Sequence, residues 1–222
     1  MSNNNKVTIA KVKAALSSAR VGTYEVAAKV TNDSDLSALN LYAWNAAVSG
    51  AFLSPLHICE VVVRNAVSDA LEGVYGVSWP WNATFLRSLP NPPHGYSPRA
   101  DLINARRSVT STGKVIPELK FAFWQRMFTV RHETRVWTPH LLRVLPNLDA
   151  TKSVATHTQE IYDDLELVRR LRNRIAHHEP IFKRALAVEY QVILKLVQNR
   201  CLTTAIWMDS NQNATQIIAA KP

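Results

Sequence analysis

Glycine is scarce, with six in 222 residues. That scarcity argues against folds built on glycine-rich phosphate loops. Cysteine is scarcer: Cys59 and Cys201 stand far apart, each in a helical pattern. Two lone cysteines exclude a disulfide scaffold and point to reduced thiols in the cytoplasm. The polar start Met1-Ser2-Asn3-Asn4-Asn5-Lys6 has no apolar stretch behind it, so no secretion signal is read. No apolar run reads as long enough to span a membrane. The Asn213-Ala214-Thr215 sequon therefore carries no weight. Ser111-Thr112-Gly113-Lys114 echoes a P-loop, but Ser108 stands where a Walker motif needs glycine. There is no G-x-S-x-G elbow, no paired C-x-x-C, no internal repeat and no strand pattern of period two. His177 and His178 are neighbours that would point apart on a helix, and no third ligand is evident. Neither a metal nor a cofactor is expected.

Acidic residues are the other deficit. Seventeen of them face 26 lysines and arginines, a net charge of +9 and a pI near 9.8. The balance points to an anionic partner, most simply nucleic acid. Hydrophobic residues make up 47% of the chain, enough for a sizeable core. The pattern reads as all-α: one domain over residues 1–222, with its core at about 36–207, a frayed start and a loose polar tail. A short helix is expected from about Thr8 to Ala19, and Thr31-Asn32-Asp33-Ser34 supplies capping oxygens for the next. Leu36, Leu39, Tyr42 and Ala46 mark that helix, and Ser54-Pro55 opens another to about Leu71. The latter has Ile58, Val61, Val62 and Val63 on its apolar face. His57, Glu60, Arg64 and Ser68 form a second stripe, with Glu60 and Arg64 in the favourable order for an ion pair. That stripe is either a solvated face or a support for the residues described next.

The organising stretch is Arg172-Asn173-Arg174-Ile175-Ala176-His177-His178-Glu179-Pro180, at the end of a helix starting near Ser153. Ile161, Leu165, Val168 and Ile175 give its apolar stripe, and the spacing places Arg172 on the same stripe. A guanidinium cannot shed its charge and must find acceptors there. Asn173 and His177, four apart, share a face beside it. Pro180 ends the helix, so the histidines fall in or just after its last turn. Arginine, amide and imidazole together can bind a phosphate and move a proton.

The string Leu-Arg-Asn-Arg-Ile-Ala-His-His-Glu-Pro-Ile, 171–181, resembles the signature of the Abi-like (abortive infection) branch of the HEPN superfamily. Asn45 to Leu71 resembles the N-terminal helices of that branch. Ile116-Pro117-Glu118-Leu119-Lys120-Phe121-Ala122-Phe123-Trp124 resembles its aromatic segment, with Ala122 in place of an expected glycine. The resemblance covers about 36–200. It implies a HEPN-like helical bundle and a ribonuclease that cuts RNA without metal, leaving 2′,3′-cyclic phosphate and 5′-hydroxyl ends. Arg172 would hold the phosphate, His177 would serve as general base or acid, and Asn173 would orient one of them. His178, Glu60 and Arg64 are auxiliary candidates. A homodimer is implied, because one motif supplies one proton-transfer group. The implied role is phage defence by abortive infection, or a toxin held by an antitoxin or a non-coding RNA.

Between the two halves of this resemblance lies a Pro- and aromatic-rich insert at 73–98, with Trp79, Trp81, Phe85 and Tyr96. It reads as an ordered loop packed on helices. Phe121, Phe123, Trp124 and Phe128 read as core. From 99 to 143, Arg99, Arg106, Arg107, Lys114, Lys120, Arg126, Arg131, Arg135 and Arg143 face only Asp101, Glu118 and Glu133, which makes the region the expected RNA surface. A last helix is expected over about 181–207, with Val188, Val192, Leu196 and Leu202 inward. The alternative function is a HEPN module that binds RNA or protein and cuts nothing. A DNA-binding helical protein is a third, but no helix-turn-helix signal supports it.

Overall fold

Apolar residues recur at helical spacing through most of the chain, and in the computed structural model helix takes 74% of it, with no strand among the described residues. The structure describes residues 3–32 and 35–222, with side chains from residue 8 onward. Asp33 and Ser34, two of the four expected capping residues, and Met1 and Ser2 lie outside that set. In chain order the helices are α1 (Asn3–Leu16), α2 (Ser18–Ala28), α3 (Ser37–Tyr75), α4 (Ala83–Ser88), α5 (Pro98–Ala105), α6 (Thr112–Val115), α7 (Phe121–Arg126), α8 (Val130–His132), α9 (Thr138–Val144), α10 (Val154–Ala176), α11 (Leu186–Arg200), α12 (Leu202–Ser210) and α13 (Ala214–Ala219). The chain forms two compact units. The first takes residues up to Ser54 with Arg174–Ala187 and Gln212–Pro222; the second takes Pro55–Asn173 with Val188–Asn211.

In the first unit, the expected helix ending at Ala19 stops instead at Leu16, and Ser17 turns the chain with φ 72°. Ser17 then caps α2, accepting a hydrogen bond from the Arg20 N–H. The core here is Val21, Tyr24, Ala38, Leu41, Trp44 and Val48. The face of α3 is thus rotated from the one read in the sequence, and Ala46 is exposed. Tyr24 packs its ring on Tyr42 and Phe182 at 4.9 and 5.0 Å. The expected loose tail is tied down: α13 accepts the Trp44 indole N–H at the Ile217 carbonyl, and Lys221 Nζ donates to the Phe182 carbonyl.

No new helix opens at Ser54-Pro55. Pro55 lies inside the 39-residue α3. Pro55 has no N–H, so it costs one rung of the ladder. By length and composition α3 can cross a bilayer, contrary to the sequence reading; its most apolar window has mean hydropathy 1.6 and is 39% buried. Its buried face in the second unit is Leu56, Cys59, Val63, Ala66, Val67, Ala70 and Leu71, while Val61 is exposed. Burial pushes the Cys59 thiol up to about 12, with Glu60 and Asp164 adding to it, so this cysteine is inert.

The insert is ordered, with Trp79 and Phe85 buried in the second unit, Tyr96 half-buried and Trp81 exposed. Asn82 Oδ1 caps α4, accepting from the Thr84 and Phe85 N–H groups. Trp79 is wholly buried, donates its indole N–H to Ser68 Oγ at 3.1 Å, and meets Phe85 and Trp124 edge-on and Phe123 in a stack. Each such pair adds about 0.5–1.5 kcal/mol beyond area burial. A π-helical turn at Glu133–Trp137 brings Trp137 flat on Phe128, ring centres 4.4 Å apart.

The last helix is two: α11 ends at Arg200, and Cys201 starts α12 by accepting from the Thr204 N–H. Leu196 is buried, but Val188 and Leu202 are exposed. Their places in the core are taken by Tyr190, Ile193, Val197, Ala205 and Met208.

Candidate functional site

Helix α10 begins where Ser153 Oγ accepts the Thr156 N–H. Its inward stripe is Ile161, Leu165, Val168, Leu171 and Ile175, all buried. The sequence spacing places Arg172 on this stripe, between Val168 and Ile175. Leu171 fills that place, and Arg172 stands beside the stripe, its side chain 44% exposed. The correction matters, because Arg172 is not a core arginine in need of rescue. It is an accessible one in need of a tether.

Glu60 is the tether. It is 8% exposed, and one carboxylate oxygen accepts Arg172 Nε at 3.1 Å. The other accepts Arg64 Nη2 at 2.7 Å. The stripe of Glu60, Arg64 and Ser68 is therefore no solvated face: Glu60 and Ser68 are buried, and only His57 is exposed. Bonding through Nε leaves both Nη groups of Arg172 without a partner among the described residues. Those are the two groups that form a bidentate fork on phosphate. Arg64 Nε is buried and unpaired, so Arg64 is fixed by Glu60 alone. Asn173, half-buried, follows Arg172 in the same unit.

Arg174 to Pro180 belong to the first unit. The helix closes there with paired bonds: the Glu179 N–H to the Arg174 carbonyl at 2.8 Å, and the His178 N–H to the Ile175 carbonyl at 3.0 Å. This is a Schellman closure, and its left-handed residue is His178, φ 54°. Glycine is the usual occupant of that conformation. Three residues brace the turn. Arg174 donates twice to the Pro180 carbonyl, at 3.1 and 2.9 Å, and meets Glu179 at 3.3 Å. The Arg20 guanidinium donates to the His178 carbonyl. Asn45, buried, accepts the Ile181 and Phe182 N–H groups on one side-chain oxygen, at 2.7 and 3.1 Å. His177 and His178 are both exposed, and the His177 ring has no hydrogen bond among the described residues.

Sequence reasoning missed Arg20, Asn45 and Arg174. Asn45 carried a signal, as a polar residue on the face of Leu41, Val48 and Phe52. Arg20 carried none, because its partner lies 158 residues away.

The expected RNA surface of 99–143 is largely spent inside its own unit. Arg99 donates to the Leu89 and Arg87 carbonyls, Arg106 to Pro80, Arg131 to Ser88 and Arg143 to Asp69. Arg107 binds the Asn104 side chain. Lys114, Arg126 and Arg135 stay exposed with no side-chain bond among the described residues. No protein-family model, curated protein or solved structure matches the chain.

Proposed function

We propose that the chain is a metal-independent endoribonuclease of the HEPN type. The observation that carries this reading is the Nε tether of Arg172 to buried Glu60, which leaves the guanidinium fork of the motif arginine open. A structural arginine spends its fork on protein acceptors; this one does not.

In the proposed reaction a ribose 2′-oxygen attacks the adjacent phosphorus and the bond to the 5′-oxygen breaks. The products are a 2′,3′-cyclic phosphate and a 5′-hydroxyl. The Nη groups of Arg172 bind the non-bridging oxygens, where charge grows in the transition state. His177 takes the 2′-hydroxyl proton or returns one to the leaving 5′-oxygen. Asn173 orients the phosphate or the ring. One imidazole cannot take both roles in a single turnover, so a second copy of the chain supplies the other. A dilute monomer on gel filtration that still cleaves RNA would remove this dimer from the proposal. Phage defence by abortive infection, or a toxin under antitoxin control, is the role that the motif string suggests.

Purified protein incubated with total RNA in EDTA, beside His177→Ala and Arg172→Ala, tests the reading. Cleavage by the wild type alone, with cyclic-phosphate ends, is the expected result. Equal cleavage by all three proteins refutes it. RNA binding without cleavage by the wild type favours a non-catalytic RNA-binding module.

A further inference from the structure

The braced turn at His178 forms the rim of a cavity of about 410 Å³ in the first unit. That is the size of a small-molecule site, for which about 300–1,000 Å³ is usual. Its floor is the small-residue face of α3, where Ala46, Ser49 and Gly50 leave room, and Tyr24 and Tyr42 stand in its wall. Most of the lining is apolar. The few polar groups have a fixed sense.

Asn45 sets the first. Both partners of its side-chain oxygen are N–H donors, so the amide cannot be flipped. Its NH2 must face the other way, and it has no acceptor among the described residues. Ser49 sets the second. Its hydroxyl proton goes to the Asn45 carbonyl at 2.7 Å, so only its lone pairs remain to be used. Residues 45 and 49 are one helical turn apart and adjacent on a face. The third is Tyr24. It is 1% exposed, lines the cavity, and its hydroxyl has no partner among the described residues.

A donor beside an acceptor, between aromatic side chains, matches an edge that sets an acceptor beside a donor, as the hydrogen-bonding edge of each nucleobase does. We infer that this cavity binds a nucleobase by that edge, from the RNA engaged at His177. The choice of RNA as the source rests on the ribonuclease reading; the base chemistry rests on the cavity.

The test reads binding and cleavage separately. AMP, CMP, GMP, UMP and ribose 5-phosphate are titrated calorimetrically into the full chain and two variants. A Cβ at Gly50 meets nothing within 4 Å, so the side chain of Gly50→Phe starts into open space at the cavity, and the change removes a helix-weakening glycine. Tyr24→Phe deletes one oxygen. The four nucleotides are expected to bind about ten-fold or more tightly than ribose 5-phosphate. Binding should fall about ten-fold or more in Gly50→Phe and about five-fold in Tyr24→Phe. No binding by any monophosphate, equal binding of all five probes, or binding indifferent to Gly50→Phe overturns the cavity. In the second arm, the cleavage sites of wild type and Gly50→Phe are mapped on a randomised RNA. Cleavage that falls in Gly50→Phe, or a base preference at one position that it loses, assigns the cavity to the RNA base. Nucleotide binding with a cleavage rate and map that Gly50→Phe leaves unchanged overturns the RNA source and assigns the cavity to a free nucleotide. Binding with no cleavage at all leaves the base cavity standing and removes the ribonuclease reading alone.

Discussion

Between residues 99 and 143 arginine mostly staples main-chain carbonyls, whereas at 172 it is itself stapled and its fork left open. Arg99, Arg106 and Arg131 spend their guanidinium groups on the ends of short helices and turns, where carbonyls lack intrahelical partners, and Arg143 spends its own on the Asp69 carbonyl within α3. Arg172 gives up only Nε, to Glu60. The two settings contribute the same formal charge and opposite availability. Net charge therefore says that cations exceed anions, and it does not say which cations an anion can reach.

The largest effect that would break this contrast is expected at Arg172. Arg172→Lys keeps the charge and loses the fork; RNA cleavage should fall on the order of a hundred-fold, nearly as far as in Arg172→Ala. Full activity in the lysine variant would reduce Arg172 to a point charge. Arg106→Ala should instead lower stability by about 1–3 kcal/mol in a denaturant titration, because the Pro80 carbonyl loses its donor at 2.6 Å, while cleavage per folded molecule stays unchanged. Glu166 sharpens the contrast from the acidic side. Arg169 foremost, with Gln125 and Arg170, holds its carboxyl down to about 2 from an ordinary 4.5. A depressed carboxylate adds stability above its unfolded value and loses it as the pH falls toward the folded one. Glu166→Gln should thus cost about 1–2 kcal/mol at neutral pH, after allowance for solvent screening, and the gap from wild type should close between about pH 4.5 and pH 2. The smallest effect belongs to the exposed cations: Arg126→Ala with Arg135→Ala should weaken RNA binding only about two- to five-fold and flatten its salt dependence.

The all-α character, the extent of α10 and the burial of Phe121, Phe123, Trp124 and Phe128 were legible, because each rests on period and composition within one segment. The face of a helix rich in alanine and valine was not. Leu56, Cys59 and Val63 lie inward, not Ile58, Val61 and Val62, since several adjacent apolar residues fit more than one stripe and packing decides. Proline misled in a similar way. Ser54-Pro55 has the chemistry of a helix start, yet the flanking residues keep α3 helical across it. At the candidate site the type of each residue was legible and its exposure was not. Glu60 as the partner of Arg172 spans 112 positions of sequence, and only the folded chain could choose between a solvated stripe and a supporting one.

His178 shows a trade-off that one melting curve can measure. Glycine would hold φ 54° with less strain, so His178→Gly should raise stability by about 0.5–1 kcal/mol, seen as a higher Tm. A chain that forgoes that gain keeps, at the rim of its cavity, a ring whose direction is set by the backbone and not by a partner. Evolution toward greater heat tolerance would have an easy step here, and taking it would exchange a directed imidazole for a hydrogen atom.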